Sequence, residues 1–314
     1  MKVLVSDKLG EIGIKIFKDA GFEVDVKTGL SPDQLKSIIQ DYHALIIRSA
    51  TKVTADLLKQ AKNLKVVGRA GIGLDNVDIP AATQHGVIVM NTPYGNVVTT
   101  GEHAIAMMMA MTRNIPMGTA SLKAGAWDKK KLQGREVFNK VLGLVGFGKI
   151  GAVVADRAAG LKMKVIVHDP FLSADQIKTA GYESVSLEDL YKRSDYITIH
   201  VPKIKENMGM LNKSAFEQMK DEVMIINCAR GGIINESDLY DAIKSGKVAG
   251  AALDVFETEP PGENPLFELD QVIGTPHLGA STREAQINVA VAVANQTIDY
   301  LNHGKLVNAV NAPL

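Results

Sequence analysis

The chain holds a single cysteine, Cys228, in 314 residues, so it cannot form an intramolecular disulfide, and a reducing, cytoplasmic setting is expected. It carries no excess charge of either sign, with 35 Lys and Arg against 35 Asp and Glu. That balance argues against nucleic acid or an anionic membrane as a partner. Long apolar runs are missing as well. The most apolar helical stretch, residues 104–111, is far shorter than the ~20 residues a membrane span needs. The opening segment, residues 1–7, is charged too early for a secretory signal and reads as a first strand. No targeting segment, low-complexity tract or short-period repeat is found. What is present is ordinary for a globular protein, 46% hydrophobic and 22% charged residues in a length suited to about two domains, each with its own core.

The most informative stretch runs from Val141 to Asp169. An apolar run at residues 141–145 leads into Gly146-Phe147-Gly148-Lys149-Ile150-Gly151, then a helical segment, then a second apolar run at 164–168 that ends at Asp169. Each piece has a physical reason. Gly146 lets the chain turn sharply off a buried strand, Gly148 lets a pyrophosphate approach the N–H groups at the start of a helix, and Gly151 lets that helix lie close to the strand. Asp169 stands where a carboxylate accepts hydrogen bonds from a ribose 2′-hydroxyl and repels a 2′-phosphate, which points to NAD rather than NADP. Gly71-Ile72-Gly73 also follows an apolar run, but Asn76 occupies the third glycine position. It reads as a tight loop that brings backbone near a ligand.

Elsewhere short apolar runs alternate with amphipathic segments. Runs at residues 3–5, 44–47, 65–67 and 87–90 are separated by expected helices near 11–20, 32–40, 55–61 and 79–85. Strands separated by helices imply a parallel sheet covered on both faces. From about residue 100 to 113 the pattern becomes a long helix, with Thr99 to Glu102 as its capping box. Its methionines, Met107, Met108, Met109 and Met111, read as core or interface packing rather than a metal or cofactor site. A polar stretch, 121–140, follows with Trp127 and the run Lys129 to Lys131, which reads first as a solvated face. Beyond Asp169, further runs at 196–201, 223–227, 249–253 and 272–273 alternate with helices near 187–192, 214–219 and 236–245, making a second doubly wound sheet. A last helix from about 282 to 301 opens on a capping box at Ser281 to Glu284. Its length, about 30 Å, is enough to leave the second domain and complete the first. The expectation is therefore an α/β chain of two doubly wound, parallel-sheet, Rossmann-like domains with a cleft between them. Residues 1–97 with 284–314 would form a discontinuous substrate-binding domain, and 98–283 an NAD-binding domain.

Three side chains stand at or just beyond the carboxyl ends of expected strands: Arg230, Glu259 and His277. An arginine fork can grip a carboxylate and polarise the neighbouring carbonyl, a histidine can exchange a proton, and a glutamate can orient the imidazole. Taken singly, each has a plain reading as an ion pair, a solvated loop residue or a turn residue. Their common placement, on the side of the sheet where ligands bind, favours the chemical reading.

The glycine motif with Asp169, the stretch from Asn227 to Gly232, Leu253 to Phe256 with Glu259-Pro260, and Pro276-His277-Leu278-Gly279-Ala280 resemble the signatures of the D-isomer-specific 2-hydroxyacid dehydrogenases, over essentially the whole chain. Arg48 to Thr54, Gly68 to Asp78 and His277 to Thr282 resemble the branch that oxidises 3-phosphoglycerate to 3-phosphohydroxypyruvate, the entry to serine biosynthesis. The resemblance implies Arg230 on the substrate carboxylate and carbonyl oxygen, His277 as acid and base, and Glu259 paired with His277. It implies NAD contacts at Gly146, Gly148, Lys149, Ile150, Gly151, Asp169, Cys228, Ala229, Arg230, Asp254, His277, Gly279 and Ala280. The substrate phosphate needs its own cations, and the candidates are Arg48 and Arg69, aided by Ser49 and the backbone of Gly71 and Gly73. Lys129 or Lys130 would reach in from the second subunit of a homodimer, as cations of this stretch do in related enzymes. Ile72 and Val201 stand where many relatives carry Thr, so a side-chain hydrogen bond to cofactor is not expected there. The chain stops at Leu314, so an appended serine-binding regulatory domain is not expected. A glyoxylate or hydroxypyruvate reductase is the alternative within the family, and an NAD-sensing corepressor-like protein the alternative outside enzymes.

Overall fold

Short runs of β-branched and aliphatic residues, walled in by helices, become buried parallel strands because both faces of each run are apolar. A computed structural model of the chain describes residues 1–311, which fall into two units: residues 1–96 with the chain from Ala280 onward, and residues 97–279.

The first unit is built on β1 (Lys2–Val5), β2 (Glu23–Val26), β3 (Ala44–Ile47), β4 (Val66–Arg69) and β5 (Ile88–Asn91). They form one parallel sheet in the order β2-β1-β3-β4-β5. The strand β2 was not expected. Its sequence, Glu23-Val24-Asp25-Val26, mixes acids with valines, and it lies at the sheet edge, where pairing with β1 alone holds it. Three of the helices between strands begin where short polar side chains accept a backbone N–H. Ser31 forms a full capping box with Gln34, Thr54 accepts from Leu57, and Asp78 accepts from Ala81.

The helix Arg283–His303 belongs to this unit. Val289, Ala290, Val293 and Ala294 are buried against Val3, Val5, Ile46 and Ile88. Its start corrects the sequence reading. The cap is Thr282, whose hydroxyl accepts the Ala285 N–H at 3.2 Å, and Ser281 lies outside it. Buried Gln296 ties the helix to the sheet by donating to the Asn91 carbonyl at 3.0 Å. Farther on, Asn311 accepts the Val89 N–H at 2.7 Å and donates to the Val87 carbonyl at 2.9 Å, so the tail satisfies the open edge of β5.

The second unit contains β6 (Val141–Val145), β7 (Lys164–His168), β8 (Glu183–Ser184), β9 (Tyr196–Ile199), β10 (Val223–Asn227), β11 (Val248–Leu253) and β12 (Val272–Gly274). All are parallel, in the order β12-β11-β10-β9-β6-β7-β8. The direction of winding reverses between β6 and β9, which makes the ends of these two strands the switch point of the sheet. The helix Val97–Thr112 starts ahead of Thr99, so the expected capping box falls inside its first turn. Met107, Met108 and Met111 are buried among Leu142, Leu144, Val154 and Ile226, which assigns them to this unit's own core. Among the described residues, no helix is long and apolar enough to cross a membrane.

Replacing Gln296 by Leu strips a buried carbonyl of its donor, and should destabilise the protein by about 1–3 kcal/mol. Chemical denaturation reads the change. A loss within about 0.5 kcal/mol of zero would show that the polar tie does not hold the tail in place.

Candidate active site

At the switch point, Gly146 follows β6 with φ of 93°, a conformation that disfavours any side chain. A Cβ there would lie 2.7 Å from the His200 carbonyl oxygen, and one on Gly151 would collide with the Gly146 carbonyl. Gly148 differs. It caps the helix Lys149–Gly160 without a side-chain partner, and the space beside its Cα is open. Backbone N–H groups at a helix start with open space before them are the setting a pyrophosphate requires, so the residues present fit a dinucleotide. Lys149 is exposed at the first turn, while Ile150 packs against the core. Asp169 follows β7 and buttresses the glycine loop, accepting the Phe147 N–H at 2.7 Å and the Phe171 N–H at 2.8 Å. Each carboxylate oxygen retains capacity for a further donor such as a ribose hydroxyl. Val201, like His200, has left the sheet after β9, and its side chain closes over Gly146. Ile72, in the first unit, contributes its carbonyl to Asn91 at 2.7 Å.

The turn after β10 carries Cys228, Ala229 and Arg230. Asn227 shapes it by accepting the Ala229 N–H at 3.0 Å and donating to the Arg230 carbonyl at 2.9 Å. The Arg230 guanidinium donates to the Ala229 carbonyl at 2.7 Å. Cys228 is buried, and burial pushes its thiol well above its usual range.

His277 and Glu259 meet directly. Nδ1 of His277 lies 2.7 Å from Oε2 of Glu259, whose other oxygen accepts the Phe256 N–H at 3.1 Å. The Glu259 bond raises the imidazole pKa against the effect of burial; Asp254 adds to the rise and Arg230 opposes it. Burial works to raise Glu259, but the bond from His277 outweighs it and holds the carboxyl below its ordinary range. His277 has φ of 51°, uncommon for a residue with a side chain. Asp254 holds that backbone in place. Its carbonyl accepts the His277 N–H at 3.0 Å, and its carboxylate accepts from Leu278 at 2.7 Å and Gly279 at 2.8 Å. Its side chain has no exposed surface, so what the geometry supports for Asp254 is organisation of the loop. Ala280 begins the return to the first unit and accepts a bond from Gln286. Two members of this cluster, His103 and Thr275, were not singled out as functional residues in the sequence. His103 is hidden in an apolar helix, and Thr275 has no motif of its own.

The first unit places its candidates separately. Arg48 follows β3 half-buried, its N–H donating to Asp7 at 2.6 Å and its Nη1 to the Lys8 carbonyl at 3.5 Å. Ser49 beside it is exposed. Asp7 also accepts from the Thr51 hydroxyl at 2.7 Å, and Asn76 donates to the carbonyls of Arg48 and Thr51, so this short loop is clamped from both sides. The Arg69 guanidinium lies over buried Gly71, and Gly73 is partly buried. Lys129 and Lys130 stand exposed in a turn beyond the helix Ile115–Lys123.

Residues 105–279 match the family described as D-isomer specific 2-hydroxyacid dehydrogenase, NAD binding domain. The chain belongs to this family. It is 48% identical over 314 residues to a D-3-phosphoglycerate dehydrogenase of Archaeoglobus fulgidus, covering all of this chain and 60% of that protein. The chain thus spans well under two thirds of that relative's length. A Thermus thermophilus protein of known structure is 31% identical, with a TM-score of 0.92 over 99% of this chain and 100% of its own. An NAD-dependent formate dehydrogenase of Staphylococcus aureus, solved in complex with NAD, is 27% identical, with a TM-score of 0.88 over the full length of both chains. Within this family frame the glycine loop, Asp169 and the helix Lys149–Gly160 form part of the NAD-binding domain.

The bond to Glu259 should make His277 titrate above 6.5, the ordinary imidazole value. Following the ring protons of His277 by NMR against pH checks this, and Glu259→Gln should lower the midpoint. Identical midpoints in the two proteins would mean that the carboxylate does not govern the imidazole.

Proposed function

We propose that the protein catalyses the NAD-dependent oxidation of 3-phospho-D-glycerate to 3-phosphohydroxypyruvate. The observation that carries this reading is the 2.7 Å contact between Nδ1 of His277 and Glu259, which leaves Nε2 as the nitrogen that exchanges a proton. Neutral His277 takes the proton of the substrate C2 hydroxyl at Nε2, and Glu259 stabilises the imidazolium that forms. Arg230 grips the carboxylate and polarises the oxygen that becomes the carbonyl. NAD, when bound, supplies the acceptor for the hydride that leaves C2. Gly146, Gly148 and Gly151 with Lys149, Ile150 and Asp169 hold its adenosine and pyrophosphate, and Cys228, Ala229, Gly279 and Ala280 line the remainder of its site. Because His277 must be neutral, oxidation falls off as pH drops through the raised imidazole pKa.

The substrate phosphate is assigned to Arg48 with Ser49 and, in second place, to Arg69 and the backbone at Gly71 and Gly73. The high identity to phosphoglycerate dehydrogenases supports this substrate over smaller hydroxy acids. A homodimer is the proposed assembly, with Lys129 or Lys130 reaching the partner's site. Val98, Ile115, Leu122 and Trp127 are exposed apolar residues on and after the long helix, and they supply the surface for it. Of the two readings given to the helix methionines, core or interface, Met107, Met108 and Met111 take the core one.

Steady-state NADH formation with 3-phosphoglycerate, beside a panel of unphosphorylated 2-hydroxy acids, tests the substrate. NAD should be preferred over NADP, because Asp169 repels a 2′-phosphate. Higher efficiency with glycolate or glycerate than with 3-phosphoglycerate would replace this reading by the reductase one.

Arg48→Ala should raise KM for 3-phosphoglycerate roughly tenfold or more, since a charge-assisted contact to an anion is worth about 1.5–3 kcal/mol. Activity on an unphosphorylated substrate should barely change. Equal losses on both substrates would make Arg48 a structural residue.

A further inference from the structure

A carboxylate without exposed surface survives as an anion only if donors replace water on it. Asp254 has four. Two are the N–H groups of Leu278 and Gly279, directly after His277. The others come from side chains: the Thr275 hydroxyl at 2.6 Å and Nε2 of His103 at 3.2 Å, both on Oδ1. Burial works to raise Asp254, and these donors, His103 foremost, outweigh it and hold the carboxyl below its ordinary range.

The proton arrangement follows from chemistry. An ionised carboxylate only accepts, so the Thr275 hydroxyl spends its single hydrogen on Asp254, and Nε2 of His103 must carry a hydrogen as well. Nε2 also lies 3.1 Å from the Thr275 oxygen, so one N–H is shared between the carboxylate and the hydroxyl that serves it. Cys228 is the third potential ligand within 4.8 Å of His103 and Asp254. Its buried thiol is held protonated, and Oδ1 of Asp254 already faces three donors, so the contacts here are those of a hydrogen-bond network.

We propose that His103 is a positioning residue for the reaction. Its Nε2–H fixes the Asp254 carboxylate, and Asp254 fixes the left-handed backbone that presents His277. The chain of contacts is continuous: His103 to Asp254, Asp254 through its carbonyl to the His277 N–H and through its carboxylate to the next two N–H groups, and His277 to Glu259. Without the donor on His103, three donors remain for a charge with no exposed surface, so the carboxylate is held less firmly and takes up a proton or shifts more readily. Either change loosens residues 277–279. The charged groups facing the His277 ring are Glu259, Asp254 and Arg230, and Glu259 cannot hold a ring whose backbone drifts. Displacement of a reacting group by about 1 Å can cost up to 10²-fold in rate. The inference rests on the acid and base role given to His277 above.

The test compares His103→Leu and His103→Gln in the otherwise unaltered chain and in His277→Asn. Gln keeps one N–H donor near the position of Nε2, and so keeps the fold's buried carboxylate satisfied. In His103→Leu, kcat for oxidation should fall on the order of tenfold, and the His277 ring should titrate lower, toward the ordinary imidazole value. His103→Gln should recover most of both. In the His277→Asn background, His103→Leu should change kcat by less than about twofold, since the residue it positions is gone. An unshifted His277 titration, or a kcat loss that recurs in full in the His277→Asn background, overturns the proposal. The titration needs no substrate, so it still decides the matter if no 2-hydroxy acid is oxidised, a result that would instead count against the proposed reaction. Should His103→Leu fail to fold, His103→Gln decides. Its His277 midpoint should match that of the unaltered chain, and a fall as large as that caused by Glu259→Gln overturns the proposal.

Discussion

Asp254 carries its charge with no exposed surface, and the loop after β12 is arranged around the donors that this demands. Desolvating a carboxylate costs several kcal/mol unless hydrogen bonds replace the lost water. Two of those bonds come from the backbone directly after His277. The cost of burying the charge and the strain of a positive φ at His277 are therefore met by the same contacts. A neutral residue at 254 would accept fewer bonds and leave the loop free to relax.

The same device recurs elsewhere in the chain. Asp169 accepts the Phe147 N–H inside the glycine loop and the Phe171 N–H of its own turn. Asp7, just past β1, accepts from Arg48 and Thr51. In each case an aspartate beyond the end of a parallel strand pins a loop that ordinary strand pairing cannot reach. The parallel sheet explains why. Its strands all deliver their carboxyl ends to one edge, where the backbone has run out of ladder partners and side chains must supply them. An edge built this way is rich in fixed donors and acceptors, which is what a charged, polar ligand needs.

Glu259 and His277 illustrate how the pair divides its work. The carboxylate is held by the Phe256 N–H on one oxygen and by the imidazole on the other, so neither partner is free to rotate. Raising the pKa of the histidine and lowering that of the glutamate are two views of one interaction, the preference of the pair for the charged state. Arg230 limits it. A positive charge close to the ring works against the imidazolium, though the net direction stays upward.

Much of this was legible in the residues alone, because local chemistry decided it. Runs such as Val141–Val145 and Val223–Asn227 are apolar on both faces, so they are strands in any parallel sheet. Gly146, Gly148 and Gly151 have no side chain where one would collide or block an anion. Arg230, Glu259 and His277 stand out as candidates because each follows a strand. Features that depend on partners distant in sequence were not. The edge strand β2 has a polar composition and is a strand only because β1 offers it hydrogen bonds. Thr282 caps the last helix in place of Ser281, and the helix at Val97 begins before its expected cap, because packing overrides a local motif. In the sequence, His103 is one residue of an apolar helix with no motif around it. Only the fold brings it within 3.2 Å of a carboxylate distant in sequence, and burial then turns that proximity into a requirement.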